Sequence, residues 1–361
     1  MRKPVRRRDV LAGAGLAAGA TLGFPAPAVA QGVRRFSLVT DWPEGPGVLP
    51  SARRLAQSVA DASDGRIEIE VTPGGAVVRP FETFDAVQSG VADMFHSHIG
   101  YFEAKSPAFH LFSSVPFGLT ANELFAWVRF GGGQELWDEI GAQFDVKPLL
   151  CSSTGIQMGG WFRNEITSLE GFKGLRYRMT EPGAEVLRRL GATVVVLPGS
   201  DIMLSLRSGA IDACEWLGPW LDTAMGLHEV ASHYYYPAWH EPGTALTLGI
   251  NRRVWDGFDA GDRRLIEMAA ASEYATSLAE FNTNNALALR RLRAEGSVAI
   301  RKFDDALLRA FAEISEDVVA EAGAGDELSG RTYRSYLAFR NLIREWSDIG
   351  EGGYLGIRAL G

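Results

Sequence analysis

A carboxylate stands inside an apolar, aromatic run of this 361-residue chain. The run is DACEWLGPW, residues 212–220, and the carboxylate is Glu215. Burying a charged carboxylate is costly unless a positive group or hydrogen-bond donors meet it. Two interpretations stay open on the residues alone: Glu215 forms a structural salt bridge with an arginine, or it helps to hold a charged ligand.

Three other segments place polar side chains among glycines or aromatics. Gln157 lies in STGIQMGGWF, and Arg176 and Arg178 alternate in GLRYRM. Glu241 precedes Pro-Gly in YYYPAWHEPG. Each has an ordinary alternative: an amide that caps local backbone, arginines on a solvated strand, or a solvated glutamate at a turn. As a group they predict a site for a cation and a carboxylate-bearing ligand, because hard cations take carboxylate and amide oxygens and arginine pairs with carboxylates.

Motifs of the common enzyme classes are missing from the sequence. It contains no GxSxG elbow, no HExxH, no P-loop and no GxGxxG between a strand and a helix. His96 and His98 are two residues apart at a predicted strand end and could share a face. With no third ligand beside them they are a weak metal signal, and ordinary strand-end histidines are the alternative. No motif therefore requires an enzyme.

An internal echo indicates how these residues are positioned. FDAVQSGVADMFHS (84–97) and MLSLRSGAIDACEW (203–216) share an amphipathic helix, a Ser-Gly end and a short apolar strand that carries Asp. Glycine suits the left-handed residue after a helix. His96 and Glu215 follow three residues beyond the aspartates, so the echo predicts two similar lobes that each send a polar residue out of a strand end, where α/β sheets bind ligands.

The order of the elements predicts an α/β fold. Strand and helix patterns alternate up to a strand at TALTLGIN (244–251), which favours a largely parallel sheet and a return segment between two lobes. From about residue 260 the chain is mostly helical. The last helix, from about Ser329, has no obvious core left to join and could pack on a second copy of the protein.

Charge and composition narrow the class of protein. A net charge of −8 and a pI near 5.4 argue against a nucleic-acid partner. Residues 1–30 are typical of a twin-arginine export signal, with consecutive arginines, a Gly/Ala-rich apolar stretch and an Ala-x-Ala site at 28–30. No later segment reaches a membrane-spanning length, so we expect a soluble mature protein.

Cys151 and Cys214 could form one disulfide, but their places in predicted strands favour buried free thiols.

Four of these segments, TGIQMGGWFRNEI, GLRYRM, SGAIDACEWLGPW and YYYPAWHEPG, closely resemble the substrate-binding subunit of TRAP transporters (tripartite ATP-independent periplasmic transporters). The nearest resemblance is to the receptors for 2-oxo and 2-hydroxy monocarboxylates. It extends over essentially the whole mature chain and includes SVPFGL (114–119) and FGGGQELWDE. The resemblance implies a periplasmic two-lobed α/β binding protein with a hinge, a long C-terminal helical region and a membrane permease as partner.

The resemblance also implies a role for each candidate residue. Arg178 would pair with the substrate carboxylate. Gln157 and Glu215 would give side-chain oxygens, and Trp216 its carbonyl, to a cation that is sodium or calcium in relatives. Glu241 would complete the protein ligands, and the acid would bind together with the cation. The site sums to about −2 with the substrate included, which favours a divalent ion.

One stretch departs from the family pattern. Relatives carry an aromatic cluster that contributes a tyrosine to the carboxylate, whereas this chain has HSHIGYFEAK. Tyr101 is the best match, with Gly100 as the alternative register, and we also expect His96 to face the substrate. His98 occupies a normally apolar position, so a different side-chain size or an extra hydroxyl on the substrate could be accommodated.

The predicted organisation follows from the same resemblance. We expect lobe I to hold residues 31–155 with part of 252–300, lobe II to hold 156–251, and residues 301–361 to form C-terminal helices. The segment SYLAFRNLIREW matches a helix that two subunits exchange in the 2-oxo acid receptor, which implies a homodimer.

The predicted function is transport of a pyruvate- or lactate-like acid without chemistry on it. Two alternatives stay open. One is a secreted metal-dependent lyase or hydrolase that uses Glu215 or Glu241 as base. The other is a sensory domain that presents the same ligand to a kinase.

Overall fold

Two β-sheets organise the chain, and the computed structural model describes residues 32–360 of it. The predicted export signal therefore lies outside the described residues. The strands are β1 (Arg34–Thr40), β2 (Ile67–Thr72), β3 (Met94–Ser97), β4 (Val146–Gly155), β5 (Gly160–Phe162), β6 (Arg176–Arg178), β7 (Thr193–Val195), β8 (Ala213–Cys214), β9 (His233–Tyr236), β10 (Thr244–Asn251) and β11 (Ala299–Lys302). The first sheet has the order β2-β1-β3-β10-β4 and the second β11-β9-β5-β8-β6-β7.

Helices cover these sheets and form the C-terminal region. They are α1 (Val48–Ala62), α2 (Thr83–Gln88), α3 (Ala121–Phe130), α4 (Gly133–Ala142), α5 (Gly183–Arg189), α6 (Gly199–Ser208), α7 (Pro219–Met225), α8 (Arg252–Asp256), α9 (Ala260–Glu295), α10 (Asp305–Ala322), α11 (Glu327–Ile349) and α12 (Glu351–Ile357). In the described part of the chain, no helix is both long and apolar enough to cross a membrane.

The sheets are mixed, whereas the sequence predicted a largely parallel sheet. β10 runs antiparallel to β3 and β4, and β5 runs antiparallel to β8 and β9. β4 passes directly into β5, and β9 passes into β10, and each of these links joins strands of different sheets. Each crossing strand therefore enters its new sheet from the other sheet, without the long crossover that connects parallel neighbours within one sheet.

The internal echo is confirmed and its aspartates have a structural role. α2 leads to β3 in the first sheet and α6 leads to β8 in the second. Asp93 accepts a hydrogen bond from the backbone N–H of Ser37 on β1 (2.7 Å). Asp212 accepts one from the backbone N–H of Arg176 on β6 (3.1 Å). Each aspartate therefore fixes the start of its strand against a parallel neighbour.

The predicted lobe limits remain a proposal, and two strands bear on them. β10, which the sequence placed with lobe II, pairs in the first sheet, and β11 pairs with β9 in the second. Between the two sheets, Trp42 and Leu49 from the N-terminal segment pack in one apolar cluster with Trp216 and Leu221.

The last long helix differs from expectation in its first half. The sequence indicated no core that this helix could join. In the structure, however, the Tyr336 ring of α11 is buried, and its hydroxyl accepts a hydrogen bond from the backbone N–H of Leu119 (2.9 Å). In the second half, Leu342, Trp346 and Ile349 are exposed, whereas Ile343 still packs against the core. The expectation that Cys151 and Cys214 are free buried thiols is confirmed.

Candidate functional site

The candidate site lies where the chain crosses between the two sheets. The link 156–159 joins β4 to β5, and the link 237–243 joins β9 to β10. Where the first link enters β5, the main chain passes close to a tyrosine side chain: a Cβ at Gly160, where φ is +124°, would lie 2.1 Å from the Tyr177 hydroxyl. Only glycine fits there. The ends of β6 and β8 face the same region, and Trp42 and the segment after β3 also supply side chains.

Arg178 and Glu215 form a fully buried ion pair in this site. Arg178 Nη1 donates to the Glu215 carboxylate and, at 2.9 Å, to the Glu215 backbone oxygen. Its Nε and Nη2 donate to the carbonyl of Leu197 at 3.1 and 3.0 Å. Burial is the largest single influence and opposes the charge, but Glu215, together with smaller contributions from Tyr101, Cys214 and Glu241, raises the pKa of Arg178. In this state, the salt bridge that the sequence offered as the alternative for Glu215 is observed.

Gln157 and Glu241 form the second polar group, and two threonines hold it. Gln157 Nε2 donates to Glu241 Oε2 at 2.5 Å and to Thr244 Oγ1 at 3.0 Å. The hydroxyls of Thr180 and Thr244 each donate to Glu241 at 2.6 Å. Burial favours the neutral acid, but the neighbouring imidazoles and these hydroxyls lower the pKa of Glu241. Gln157 Oε1 has no hydrogen-bond partner among the described residues.

Tyr101 and His98 form the wall that the first sheet contributes. The Tyr101 ring lies 4.5 Å from that of Phe81 and 4.9 Å from that of His98, centroid to centroid. Burial raises the pKa of the Tyr101 phenol and lowers the pKa of His98 to about 4. His98 Nε2 lies 3.9 Å from Glu241 Oε1.

His96 was expected to face the substrate, and the structure does not bring it to the cavity. It is fully buried on β3, where its Nδ1 accepts from Trp42 Nε1 (2.8 Å) and its Nε2 lies 2.9 Å from Ser152 Oγ. Burial lowers its pKa to about 3. Trp42 lines the cavity in its place. His96 therefore holds Trp42 in place through this hydrogen bond, and Trp42 in turn lines the cavity.

The remaining predicted residues come together around one cavity with about 270 Å³ of empty space. They are Tyr101, Gln157, Arg178, Glu215, Trp216 and Glu241. The sequence reasoning did not assign six further lining residues, which are Trp42, His98, Thr180, Leu217, Thr244 and Leu246. Thr180 had a usable signal, because it stands two residues after Arg178 on an extended segment and so shares its face.

The donor set suits a hard cation. Glu215 and Glu241 bring two carboxylates to the cavity, and Gln157 brings an amide oxygen that accepts no hydrogen bond from the described residues. Sodium and calcium take oxygen ligands of these kinds. Within residues 32–360 no cluster of three or more His, Cys, Asp or Glu side chains forms a metal site. A cation here would therefore depend on amide and backbone oxygens besides the two glutamates.

Two α/β sheets joined by crossing strands, with a small charged cavity between them, define a two-lobed solute receptor. The chain belongs to the bacterial extracellular solute-binding protein family 7, whose profile matches residues 38–326. The predicted family of TRAP solute receptors, its fold and its extracytoplasmic location are thereby confirmed.

Three relatives show how similar the chain is to characterised members. It is 37% identical over 320 residues to a monocarboxylate 2-oxoacid-binding periplasmic protein of Nostoc, with 89% of this chain and 88% of the relative covered. A TRAP solute-binding protein of Pseudoalteromonas atlantica with bound sodium and pyruvate superimposes with a TM-score of 0.86 at 32% identity, covering 90% and 99% of the chains. A Bordetella bronchiseptica TRAP protein superimposes with a TM-score of 0.87 at 29% identity, covering 90% and 97%; it is a mixed-occupancy dimer with calcium and picolinate.

Proposed function

We propose that this protein is the periplasmic receptor of a TRAP transporter that binds a small 2-oxo or 2-hydroxy monocarboxylate together with a cation. In this proposal it delivers the acid to a membrane permease. The observation that carries the proposal is the convergence of a buried arginine, two buried glutamates and a donor-free amide oxygen on one small cavity between two sheets.

Arg178 is the residue that would bind the carboxylate of the ligand. Its guanidinium is planar, permanently charged and able to donate two parallel hydrogen bonds to a carboxylate. The Leu197 carbonyl accepts from Nε and Nη2 and thereby fixes the plane of the group. The ring of Trp216 lies 5.3 Å from Arg178 Cζ and covers one face. The arginine is therefore held in place before any ligand arrives.

Gln157, Glu215 and Glu241, with the Trp216 carbonyl, are the groups that would hold the cation. A bound cation supplies positive charge that offsets the glutamates and attracts the carboxylate and 2-oxygen of the acid. Arg178 and the two glutamates leave a formal charge of about −1, and the acid makes it about −2. A calcium ion neutralises that charge and a sodium ion halves it, so the balance favours calcium.

The lining of the cavity supports a short acid. Leu217 and Leu246 supply apolar wall beside the charged groups. An apolar wall beside a charged end matches a molecule with a carboxylate at one end and a methyl or short alkyl group at the other. The Nostoc relative is a monocarboxylate 2-oxoacid-binding protein, and the Pseudoalteromonas structure holds pyruvate.

The same arrangement supports binding without catalysis. Glu215 is engaged by Arg178, and Glu241 accepts hydrogen bonds from Thr180, Thr244 and Gln157. A general base must instead be free to take a proton from the substrate. A receptor uses these carboxylates as fixed charges.

A thermal-shift screen tests the proposal. Pyruvate, lactate and longer 2-oxo acids are added to chelator-treated protein, each with calcium, with sodium and with neither. We expect stabilisation by 2-oxo acids that is largest when a cation is present, because a ligand that binds only the folded state stabilises it. Propionate, which has the carbon chain of pyruvate and lactate but lacks the 2-oxygen, is the matched control. No stabilisation by any of the monocarboxylates would overturn the proposal.

A further inference from the structure

His98 is a buried polar side chain with no protein partner in the site. Only 5% of the residue is exposed, and it lines the cavity beside Glu241 and Tyr101. Neither ring nitrogen has a hydrogen-bond partner in the part of the chain that the structure describes. Buried polar groups are nearly always satisfied, so an unsatisfied imidazole at a cavity wall points to a group that arrives with the ligand.

The neighbours of His98 already have other partners. The nearest carboxylate oxygen, Glu241 Oε1, is 3.9 Å from Nε2 and accepts from the Thr180 hydroxyl. The Tyr101 ring packs against the imidazole at 4.9 Å between centroids, which fixes its plane. His98 is therefore oriented by packing, and its hydrogen-bonding capacity remains for the cavity.

Gly100 makes the room that this imidazole occupies. A Cβ at position 100 would lie 2.6 Å from His98 Cε1, 3.0 Å from His98 Nδ1 and 3.1 Å from His110 Nδ1. Such distances force the ring to move. Gly100 is not among the glycines with positive φ, so alanine is compatible with its backbone. The glycine is thus required by the space that the histidine fills, and not by the local turn.

We propose that His98 is a specificity-determining residue whose imidazole hydrogen-bonds an additional oxygen on the ligand. The receptor would then prefer 2-oxo or 2-hydroxy acids that carry a hydroxyl or carbonyl oxygen on the carbon chain over the same acids with a bare alkyl chain. A site built to hydrogen-bond a ligand group rejects analogues that lack it, because its own polar atom is then left unpaired. This inference rests on the proposed function and names the substrate class within it.

Calorimetry with matched acids tests the inference. The pairs are pyruvate against 3-hydroxypyruvate and lactate against glycerate, which differ by one hydroxyl group, all measured with calcium present. For the wild type we expect the hydroxylated acid to bind roughly tenfold more tightly, the size of one buried hydrogen bond. The quantity compared between variants is the ratio of the two dissociation constants within a pair.

Two different substitutions should abolish the preference. His98→Ala removes the imidazole, and Gly100→Ala keeps it but displaces the ring; in both, we expect the ratio to fall to within about twofold of unity. His98→Asn, which retains a hydrogen-bonding amide, should keep part of the preference. His233→Gln on β9 removes an imidazole outside the cavity and should leave the ratio unchanged.

The outcomes separate the two proposals. If the acids bind and the ratio is the same in the wild type, His98→Ala and Gly100→Ala, the inference is wrong while the receptor function stands. If the wild type binds none of the four acids, the inference fails, and if it binds no longer 2-oxo acid either, the proposed function fails with it. Thermal melting establishes folding, and Gly100→Ala decides the matter if His98→Ala does not fold.

Discussion

At the scale of single residues, the ion pair between Arg178 and Glu215 has two consequences. Both side chains are about 1% exposed, so neither charge has water to compensate the loss of the other. Removing one partner of such a pair leaves a buried unpaired charge and typically costs 3–5 kcal/mol. The pair therefore supports the fold as well as the ligand, and a useful experiment must separate these roles.

Changing Arg178 alone and together with Glu215 separates the effect of the ion pair on stability from its effect on ligand binding. Arg178→Met should abolish carboxylate binding and lower the free energy of unfolding by about 3–5 kcal/mol, because Glu215 is left uncompensated. The double variant with Glu215→Gln removes that charge and should recover much of the stability, yet still not bind. Urea denaturation and calorimetry measure the two effects. Restored binding in the double variant would contradict the assignment.

His96 should contribute a measurable pH dependence of stability, and the buried His98, whose pKa is lowered to about 4, adds to it in the same direction. The folded-state pKa of His96 is about 3, against 6.5 for an ordinary histidine, because it is buried. Below pH 6.5 the unfolded chain binds a proton that the folded protein does not, so stability falls as the pH falls towards 3. The contribution between pH 7 and pH 5 is about 2 kcal/mol.

Denaturation of the wild type and of His96→Asn at both pH values checks this expectation. The variant should be less stable at pH 7, because the Trp42 indole loses an acceptor, but it should lose less stability on acidification. The same change in both proteins would show that His96 does not carry the dependence.

At the scale of elements, the segment after β8 depends on Asp222 of α7. Asp222 Oδ1 accepts from the backbone N–H groups of Leu217 and Gly218, both at 3.0 Å. Its Oδ2 accepts from Trp161 Nε1 (2.8 Å) and the Tyr234 hydroxyl (2.7 Å). Burial raises the pKa of Asp222 to about 6, and the four donors oppose that rise. One carboxylate therefore fixes the loop that presents the site.

Asp222→Asn tests that dependence. In the asparagine, an NH2 group replaces one of the two carboxylate oxygens and meets hydrogen-bond donors that it cannot accept from. We therefore expect the free energy of unfolding to fall by about 2–3 kcal/mol. Ligand affinity should fall as well, because Glu215 and Trp216 precede the two residues that Asp222 holds. Denaturation and calorimetry at pH 7.5 measure both, with Asp201→Asn on α6 as the exposed control. Wild-type ligand affinity in the Asp222 variant would contradict the expectation.

The elements also explain what could be predicted from the sequence. The helix–strand echo was readable because each copy has its own local signals, a hydrophobic period and a glycine cap. The antiparallel entry of β5 and β10 was not, because strand direction depends on which sheet the chain joins next. The histidine assignment failed for a local reason: His96 lies within β3, where Trp42 and Ser152 enclose it, whereas His98 stands just beyond the end of the strand and reaches the cavity.

At the scale of the whole molecule, the two links between the sheets carry ligand-binding candidates. Gln157 lies on one link and Glu241 on the other, while Arg178 and Glu215 belong to the second sheet and Tyr101 to the segment after β3. A hinge motion of the sheets would therefore change the site itself. We propose that ligand and cation together favour the closed arrangement, as in other hinged receptors.

The predicted homodimer belongs to this scale too. Leu342, Trp346 and Ile349 lie along one face of α11 and are 66%, 68% and 79% exposed. Exposed apolar faces of this kind mark interaction surfaces. We expect Trp346→Glu to convert a dimer into a monomer in light scattering coupled to gel filtration, whereas Leu204→Glu on α6 should not. A wild-type protein that is monomeric at high concentration would contradict the prediction.

The central claim is that acid and cation bind as one unit, and a linkage titration by calorimetry tests it most directly. Pyruvate is titrated into cation-free protein at increasing calcium, and calcium is titrated with and without pyruvate. We expect each ligand to tighten the other by the same factor, at least about tenfold, because coupling free energies are reciprocal. Glu241→Gln should reduce that factor. Pyruvate binding that is equally tight with calcium, with sodium and without either cation would contradict the account.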